Sequence, residues 1–179
     1  MADETEDIAS RTEIVPYPDI DGELPEFDCG KDWFHEFINT DEVDEYHEEQ
    51  FGVTRLVYFE GELAAFFSLS ANALRDADYQ GSEMDSVDEL SSYPYDVPAY
   101  LLGHLAVAEE YQDRGLGRFL LFRAIARSKQ ADIPFRVLLL HAQEDVVDFY
   151  ERHGFVASES TEGYPRLMFV DLAEIPDPA

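Results

Sequence analysis

Positive charge is scarce in this 179-residue sequence, which sets 12 lysine and arginine residues against 40 aspartate and glutamate residues. The formal net charge is −28, and Lys31 and Lys129 are the only lysines. Such a surface repels nucleic acid and anionic lipid at low salt, but molar salt shortens the Debye length to about 3 Å and nearly removes the repulsion. Charge alone therefore excludes strong binding to polyanions only at low salt.

Cysteine is limited to Cys29, which excludes an intramolecular disulfide. A metal site would have to use the five histidines and the carboxylates, and the histidines lack the close paired spacing typical of such sites. We therefore expect no metal.

Long hydrophobic runs are also missing, since no stretch approaches the roughly 20 apolar residues of a membrane-spanning helix. The N-terminus is acidic and polar, the reverse of a secretory signal. These features predict a cytoplasmic protein that does not enter a membrane. The acidic residues are spread along the chain, which favours a solvated acidic coat over a face for a cationic partner. In this the composition resembles that of halophilic archaeal proteins.

The chain has enough hydrophobic residues, 45%, for one ordinary core. The first residues, 1–12, are acidic and without periodicity, which predicts a flexible tail. A single domain at 13–179 should follow, with an acidic loop insertion at 74–98 that is either flexible or a lid.

Alternating patterns place strands and helices along this domain. Val53–Phe59 is typical of a strand, Gly61 of a hairpin turn, and 63–69 of the returning strand. Strand, helix, strand, helix and strand patterns then follow one another from residue 100. They cover 100–107, 115–129, 135–142, 144–153 and the stretch from Phe155 onward. This alternation predicts an α/β (α+β) fold with at least one parallel strand pair.

The main chemical signal is the turn that joins the strand ending at Val107 to the helix of 115–129. Its glycines, Gly115 and Gly117, allow backbone N–H groups to turn toward a ligand, and the helix start adds unpaired donors and a positive dipole end. Together these features predict a pyrophosphate cradle. Arg114 and Arg118 either add charge-assisted contacts to phosphate or are ordinary surface residues.

A glycine turn that merely caps a helix is the simpler interpretation, and the surrounding pattern decides against it. The three glycines of a dinucleotide fold and the Gly-Lys-Ser/Thr of a nucleotide triphosphate loop are both missing. Instead the turn resembles the acyl-CoA loop of the GNAT acetyltransferases, in which Gln or Arg is followed at fixed spacing by Gly and by Gly or Ala. Gln112, Gly115 and Gly117 match that pattern.

Val146–Phe155 resembles the second hallmark of this superfamily, a helix with Phe-Tyr closed by Gly-Phe. Gly154 suits the left-handed position after a helix. Tyr150 is either a core residue with a bonded hydroxyl or, as the resemblance implies, the general acid that protonates the departing CoA thiolate.

The resemblance implies a GNAT fold: a mixed sheet of six to seven strands, about four flanking helices, and acetyl-CoA between two parallel strands that splay near Leu105 and Leu139. The implied cofactor residues are those of the strand end and the turn. They are Leu105, Ala106, Val107, Gln112, Asp113, Arg114, Gly115, Leu116, Gly117 and Arg118. The implied reaction is direct attack of a primary amine on acetyl-CoA, with a backbone N–H near Leu105 stabilising the oxyanion.

The general base that would deprotonate the amine is one of His104, His141 and Glu109. Both histidines lie in apolar runs and are equally explained as core histidines. The acceptor is open as well. Segments such as Phe27–Gly30 and 102–107 resemble GNAT-type toxins of toxin-antitoxin systems, which implies aminoacyl-tRNA as acceptor and an antitoxin as partner. The chain departs from that branch in three ways: His104 stands where arginine is usual, the insertion is long, and the basic surface expected for tRNA is missing.

A generic amine is therefore the main expectation for the acceptor, and aminoacyl-tRNA is the alternative. A CoA-binding module without catalysis is a third hypothesis, although an intact loop and Tyr150 argue against it. A homodimer also stays open.

Overall fold

The computed structural model describes residues 7–17, 24–160 and 162–176, and the chain divides into two compact units. Unit 1 comprises 1–70 and 103–124, and unit 2 comprises 71–102 and 125–179. Two strands and one helix run from one unit into the other, because the division falls within them.

Besides the helical residues 7–10, seven strands and six α-helices lie in the described part of the chain. The strands are β1 (Thr12–Pro16), β2 (Val53–Phe59), β3 (Glu62–Leu74), β4 (Val97–Val107), β5 (Val137–Ala142), β6 (Val156–Ala157) and β7 (Arg166–Asp171). The helices are α1 (Asp32–Asn39), α2 (Glu42–Glu48), α3 (Asp76–Tyr79), α4 (Val87–Ser91), α5 (Leu116–Lys129) and α6 (Val147–Glu151). Short 3-10 turns span Glu109–Tyr111 and Glu144–Val146.

In unit 1 the strand order is β1-β2-β3-β4. β1 pairs antiparallel with β2, and β2 pairs antiparallel with β3. The β2–β3 hairpin turns at Glu60 and Gly61, whose φ angles of 54° and 87° match the two left-handed positions of a type I′ turn. The predicted hairpin is therefore confirmed.

The core of unit 1 forms where α1 packs on the sheet. The Phe66 ring on β3 lies 5.1 Å from that of Phe27 and 5.9 Å from that of Phe37 on α1. Ile38, Leu56 and Ala106 are buried in the same cluster. This cluster brings α1 against the strand end that leads into the predicted cofactor turn.

In unit 2 the order is β4-β5-β7-β6. β4 and β5 pair in parallel from Ala99↔Val137 to Leu101↔Leu139, which confirms the predicted parallel pair. β7, which the sequence does not separate from the preceding strand, pairs antiparallel with β5 and β6. The mixed sheet agrees with the predicted fold class.

In the segment 74–98, predicted as an acidic loop, the structure has α3 and α4. Their apolar residues are buried, because Tyr79, Met84 and Leu90 pack in one cluster with Val137 and Phe169. Arg136 reinforces the packing through two hydrogen bonds. Its Nη2 donates to the Asp171 carboxylate at 2.7 Å and to the Glu89 carboxylate of α4 at 2.9 Å. Enough apolar surface is thus buried to order this segment.

Of the predicted tail, residues 1–6 lie outside the described part of the chain. Residues 7–10 are helical, and Thr12 already belongs to β1. Between them, Arg11 forms ion pairs with Asp7 at 2.9 Å and with Glu60 at 2.7 Å.

Candidate active site

The predicted cofactor turn links the end of β4 to α5 through a left-handed bend. Asp113 and Gly115 have φ angles of 58° and 82°. The Phe119 N–H donates to the Gly115 carbonyl at 3.0 Å and is the first N–H bonded within the helix. The N–H groups of Leu116, Gly117 and Arg118 precede it and have no acceptor in the helix. The turn therefore offers a row of backbone donors at a helix start, as an anionic group requires.

The two glycines of the turn serve different purposes. Gly115 is required by its φ angle, which L side chains rarely adopt. Gly117 has ordinary backbone, and a Cβ there would meet only Val107 Cγ2 at 3.8 Å. Its missing side chain instead leaves the start of α5 open for close approach by a ligand.

Gln112 fixes the turn from within. Its Nε2 donates to the Val107 carbonyl at 2.9 Å and to the Cys29 carbonyl at 3.1 Å. Beside it, the Glu109 N–H donates to the Asp28 carbonyl at 3.1 Å. The side chain of Gln112 thus ties the turn to the strand before it and to the segment before α1.

A cavity of about 470 Å³ opens beside the turn in unit 1. Its walls are Asp7, Ile8, Arg11, Phe59, Asp113, Arg114, Gly115, Arg118, Phe119 and Phe122. The volume lies in the ordinary range for a small-molecule site, and the lining combines cationic and aromatic side chains. Arg114 and Arg118 lie over the rings of Tyr111 and Phe122, 5.5 and 5.6 Å from the ring centroids.

The strand end 105–107 continues past the parallel pairing. Among the described residues that pairing ends at Leu101↔Leu139, whereas β4 runs on to Val107. Ala106 is buried, and Leu105 and Val107 are half-buried. The backbone of 105–107 is therefore not occupied by parallel pairing with β5.

His104 lies in an aromatic box on the β4 strand. Its ring stacks on Phe37 at 3.8 Å and contacts Phe34, Phe66 and Tyr46. Its Nδ1 lies 2.7 Å from Ser68 Oγ. Burial lowers the pKa of His104 to about 4, so the imidazole is neutral at neutral pH. Ser68, which is fully buried on β3, is not among the sequence-predicted residues, because strand register cannot be read from the sequence.

Tyr150 belongs to unit 2, where it lies buried on α6 between Phe149 and Phe155. Burial raises its pKa, so the hydroxyl keeps its proton at neutral pH. Within the described part of the chain the hydroxyl has no hydrogen-bond partner. Gly154, with a φ of 88°, ends the helical segment as predicted.

The other two predicted bases are exposed. His141 lies on β5, opposite Leu167 of β7. Glu109 lies in the 3-10 turn, and its Oε1 would be 2.5 Å from a Cβ added at Gly30. Unit 1 thus brings together the turn, the strand end 105–107 and His104, and Tyr150 and His141 belong to the other unit.

The described residues contain no group of three or more histidine, cysteine, aspartate or glutamate side chains that could hold a metal ion. None of the described helices is both long and apolar enough to cross a membrane.

Comparison with known proteins places these features in a family. The model of the acetyltransferase (GNAT) domain matches residues 91–171, which include the turn and Tyr150. Residues 91–171 of this chain therefore form a GNAT acetyltransferase domain. The predicted family and fold class are thereby confirmed.

Within this family the chain is similar to toxins. It is 33% identical over 115 residues to a tRNA-acetylating toxin of Mycobacterium tuberculosis (strain ATCC 25618 / H37Rv), an alignment that covers 63% of this chain and 66% of that protein. The fold is shared with AtaT complexed with acetyl-methionyl-tRNAfMet, with a TM-score of 0.74, 21% identity, and coverage of 90% of this chain and 95% of AtaT. A variant of AtaT bound to the C-terminus of the antitoxin AtaR and acetyl-CoA gives a TM-score of 0.71 and 19% identity, covering 91% and 94%.

Proposed function

We propose that the protein is a cytoplasmic acetyl-CoA-dependent N-acetyltransferase whose acceptor is the amino group of aminoacyl-tRNA. The observation that carries the acetyl-CoA assignment is the turn itself: a left-handed bend, held by Gln112, that presents backbone donors at the start of α5. The similarity to a tRNA-acetylating toxin supports the acceptor.

The residues of unit 1 would hold acetyl-CoA. The N–H groups of 116–118 would bind the pyrophosphate, and Arg114 and Arg118 would supply positive charge to the phosphates. The neighbouring cavity, with its aromatic and cationic walls, has room for the adenosine end. The backbone of 105–107, which lies beyond the parallel pairing with β5, would be left for the pantetheine arm, which carries amide groups.

The reaction needs a neutral amine that attacks the thioester carbonyl. The new N–C bond forms and the C–S bond breaks. The attacking nitrogen gives up one proton to solvent, and the thiolate must take up one proton, so no net proton is consumed. Tyr150 is suited to supply that proton, since its hydroxyl is protonated and has no other partner in the described part of the chain. We assign Tyr150 as the general acid.

His104 is better suited to donate or accept a hydrogen bond than to act as a general base. With a pKa of about 4 it is a weak base, and its Nδ1 is already bonded to Ser68. We therefore propose that its Nε2 orients the acceptor in the neutral state. An aminoacyl ester has a less basic amine than lysine, so it needs no strong base to become neutral.

The net charge of −28 favours a second candidate, a small cationic amine such as a polyamine. Both candidate acceptors are tested by incubating the protein in molar salt with radiolabelled acetyl-CoA and either methionyl-tRNA or spermidine. We expect label on methionyl-tRNA. Transfer to spermidine alone would overturn the proposed acceptor, and failure of the wild type to bind acetyl-CoA would overturn the enzyme assignment as well.

Tyr150→Phe separates catalysis from binding, because phenylalanine preserves the ring contacts with Phe149 and Phe155. We expect kcat to fall by about 10²- to 10⁴-fold with little change in the KM for acetyl-CoA. Tyr95→Phe is the matched control, since Tyr95 is 75% exposed. Equal rates for wild type and Tyr150→Phe would remove the general-acid role.

We further propose an antitoxin partner, because a relative of the same fold is bound to one. Induced expression of the chain alone should arrest growth and leave acetylated aminoacyl-tRNA in the cell. Co-expression with the product of an adjacent small gene should restore growth. A harmless protein would contradict the toxin assignment and leave the acetyltransferase assignment intact.

A further inference from the structure

One helix of this acidic chain is free of acidic residues. Residues 114–131 contain five of the 12 basic residues and none of the 40 acidic ones. The other 161 residues carry the remaining seven bases. Since this segment is α5 with the ends that flank it, a concentrated positive charge lies on a single element.

The arginines of α5 lie on its exposed side. Arg118, Arg123 and Arg127 are exposed, whereas residues of the opposite side, such as Leu121 and Ala124, are fully buried. Arg123 and Arg127 are four positions apart, so they are neighbours on the helix surface. Phe122, which is 42% exposed, adds an aromatic surface beside Arg123.

These arginines differ from three arginines in other described segments of the chain. Arg11, Arg75 and Arg136 each pair with a carboxylate. Arg123 and Arg127 have no ion-pair partner among the described residues, although the chain is rich in carboxylates. Arginines left unpaired on such a surface are available to an external anion.

The helix dipole does not account for the pattern. Cations are favourable in the last turn of a helix, which explains Arg127, but unfavourable near its start. Arg118 lies in the first turn and Arg123 in the middle of α5, whose first turn has no acidic residue. Each of the other five named helices, α1 to α4 and α6, has an acidic residue in its first turn.

We propose that Arg123 and Arg127 on the exposed face of α5 bind the phosphodiester backbone of the acceptor RNA. Two guanidinium groups in one row match the repeated charge of a polynucleotide. This surface would supply the basic contact with tRNA that is not evident from the strongly acidic overall composition. The proposal rests on the proposed aminoacyl-tRNA acceptor.

The test is the double variant Arg123→Gln/Arg127→Gln, with Arg75→Gln as the exposed control far from α5 in sequence. Binding of fluorescein-labelled uncharged tRNA is measured from molar salt downward. Acetyl transfer is measured in parallel with methionyl-tRNA and with methionine methyl ester, which has the amine without the phosphates. Both substitutions are on an exposed face, so the fold should be retained.

We expect the double variant to bind tRNA more weakly and to show a slope of log Kd against log salt that is shallower by about 2, one for each lost phosphate contact. Its KM should rise for methionyl-tRNA but not for methionine methyl ester or acetyl-CoA. Arg75→Gln should match the wild type in all of these.

The outcomes separate the two proposals. Transfer to methionyl-tRNA with unchanged KM, Kd and salt slope in the double variant would overturn the α5 surface and leave the proposed function standing. If the double variant binds tRNA more weakly but the wild type transfers no acetyl group to methionyl-tRNA, the α5 surface is supported and the proposed acceptor is overturned. Absence of tRNA binding by the wild type would overturn both.

Discussion

The side-chain amide of Gln112 donates a hydrogen bond to the backbone carbonyl of Cys29, 3.1 Å away and 83 positions earlier in the chain. The same nitrogen also donates to Val107 at 2.9 Å. The first residue of the acyl-CoA motif thus acts inside the protein, where it holds the turn against the segment that leads into α1.

Substitutions at Gln112 should separate this positioning role from direct ligand contact. Gln112→Ala removes both hydrogen bonds, each worth about 1 kcal/mol, and should lower the melting temperature by roughly 2–8 °C. The KM for acetyl-CoA should rise with it, because the donors of the turn lose their fixed position.

Gln112→Glu should be worse than Gln112→Ala, since a carboxylate would face two carbonyl oxygens with no proton to donate. Thermal unfolding and acetyl-CoA titration at molar salt measure both effects. Gln130→Ala at the exposed end of α5 is the control. If Gln112→Glu were as stable as the wild type, the amide would not be holding the turn.

Alanine substitutions at Gly115 and Gly61 form a matched pair that tests whether the cofactor turn needs its left-handed backbone to bind acetyl-CoA. Both have left-handed φ angles, 82° and 87°, so an alanine at either position should cost about 1 kcal/mol of folding free energy. Only Gly115→Ala should raise the KM for acetyl-CoA, because only that methyl group lies in the cofactor turn. Equal KM values for the two variants would contradict the assignment of the turn.

The local elements of the fold are readable from the sequence, and the long-range ones are not. Gly61 and Gly115 mark bends that depend on a single φ angle. β7 is different: its pairing of Val137 with Asp171 joins distant segments, and a run such as Leu167–Val170 has no periodicity to identify it.

The candidate site divides in the same way. The turn and Tyr150 follow from short motifs, whereas the contact of His104 with Ser68 depends on how neighbouring strands align. The helices of 74–98 escape prediction because each is too short to show a helical period. They are ordered by burial of residues such as Tyr79 and Leu90 in a shared core.

Arg136 should be essential for stability, since its guanidinium bonds both oxygens of the Asp171 carboxylate at 2.7 Å. Burial would raise the pKa of Asp171, but the hydrogen bonds, chiefly from Arg136, hold it below the ordinary value. Arg136→Met leaves a fully buried carboxylate unpaired and should cost about 3–5 kcal/mol, measured by urea unfolding at high salt.

Two further variants control that measurement. Glu89→Gln should cost far less than Arg136→Met, because Glu89 is 68% exposed and its ion pair is screened by solvent. Asp171→Asn added to Arg136→Met should recover part of the loss by removing the buried charge. A loss of similar size for Glu89→Gln would mean that the exposed bond, and not the buried one, carries the effect.

His104 should make the free energy of unfolding decrease in mild acid, because the unfolded chain takes up a proton at this residue more readily than the folded chain. Its pKa is about 4 when folded and 6.5 ordinarily, so between these values the unfolded chain binds a proton that the folded chain does not. Stability from this group is therefore complete above pH 6.5 and falls as the pH drops toward 4. The full shift corresponds to roughly 3 kcal/mol.

The carboxylates also titrate in this range, and their protonation relieves repulsion, which acts in the opposite direction. The effect of His104 is therefore measured as a difference between the unfolding free energies of the wild type and His104→Gln at each pH. That difference should shrink steadily from pH 7 to pH 4, because only the wild type has an imidazole that is protonated in the unfolded chain and neutral in the folded chain. A difference that stays constant with pH would show that His104 is not held neutral by its aromatic box, and the proposed orientation of the acceptor by a neutral Nε2 would fall with it.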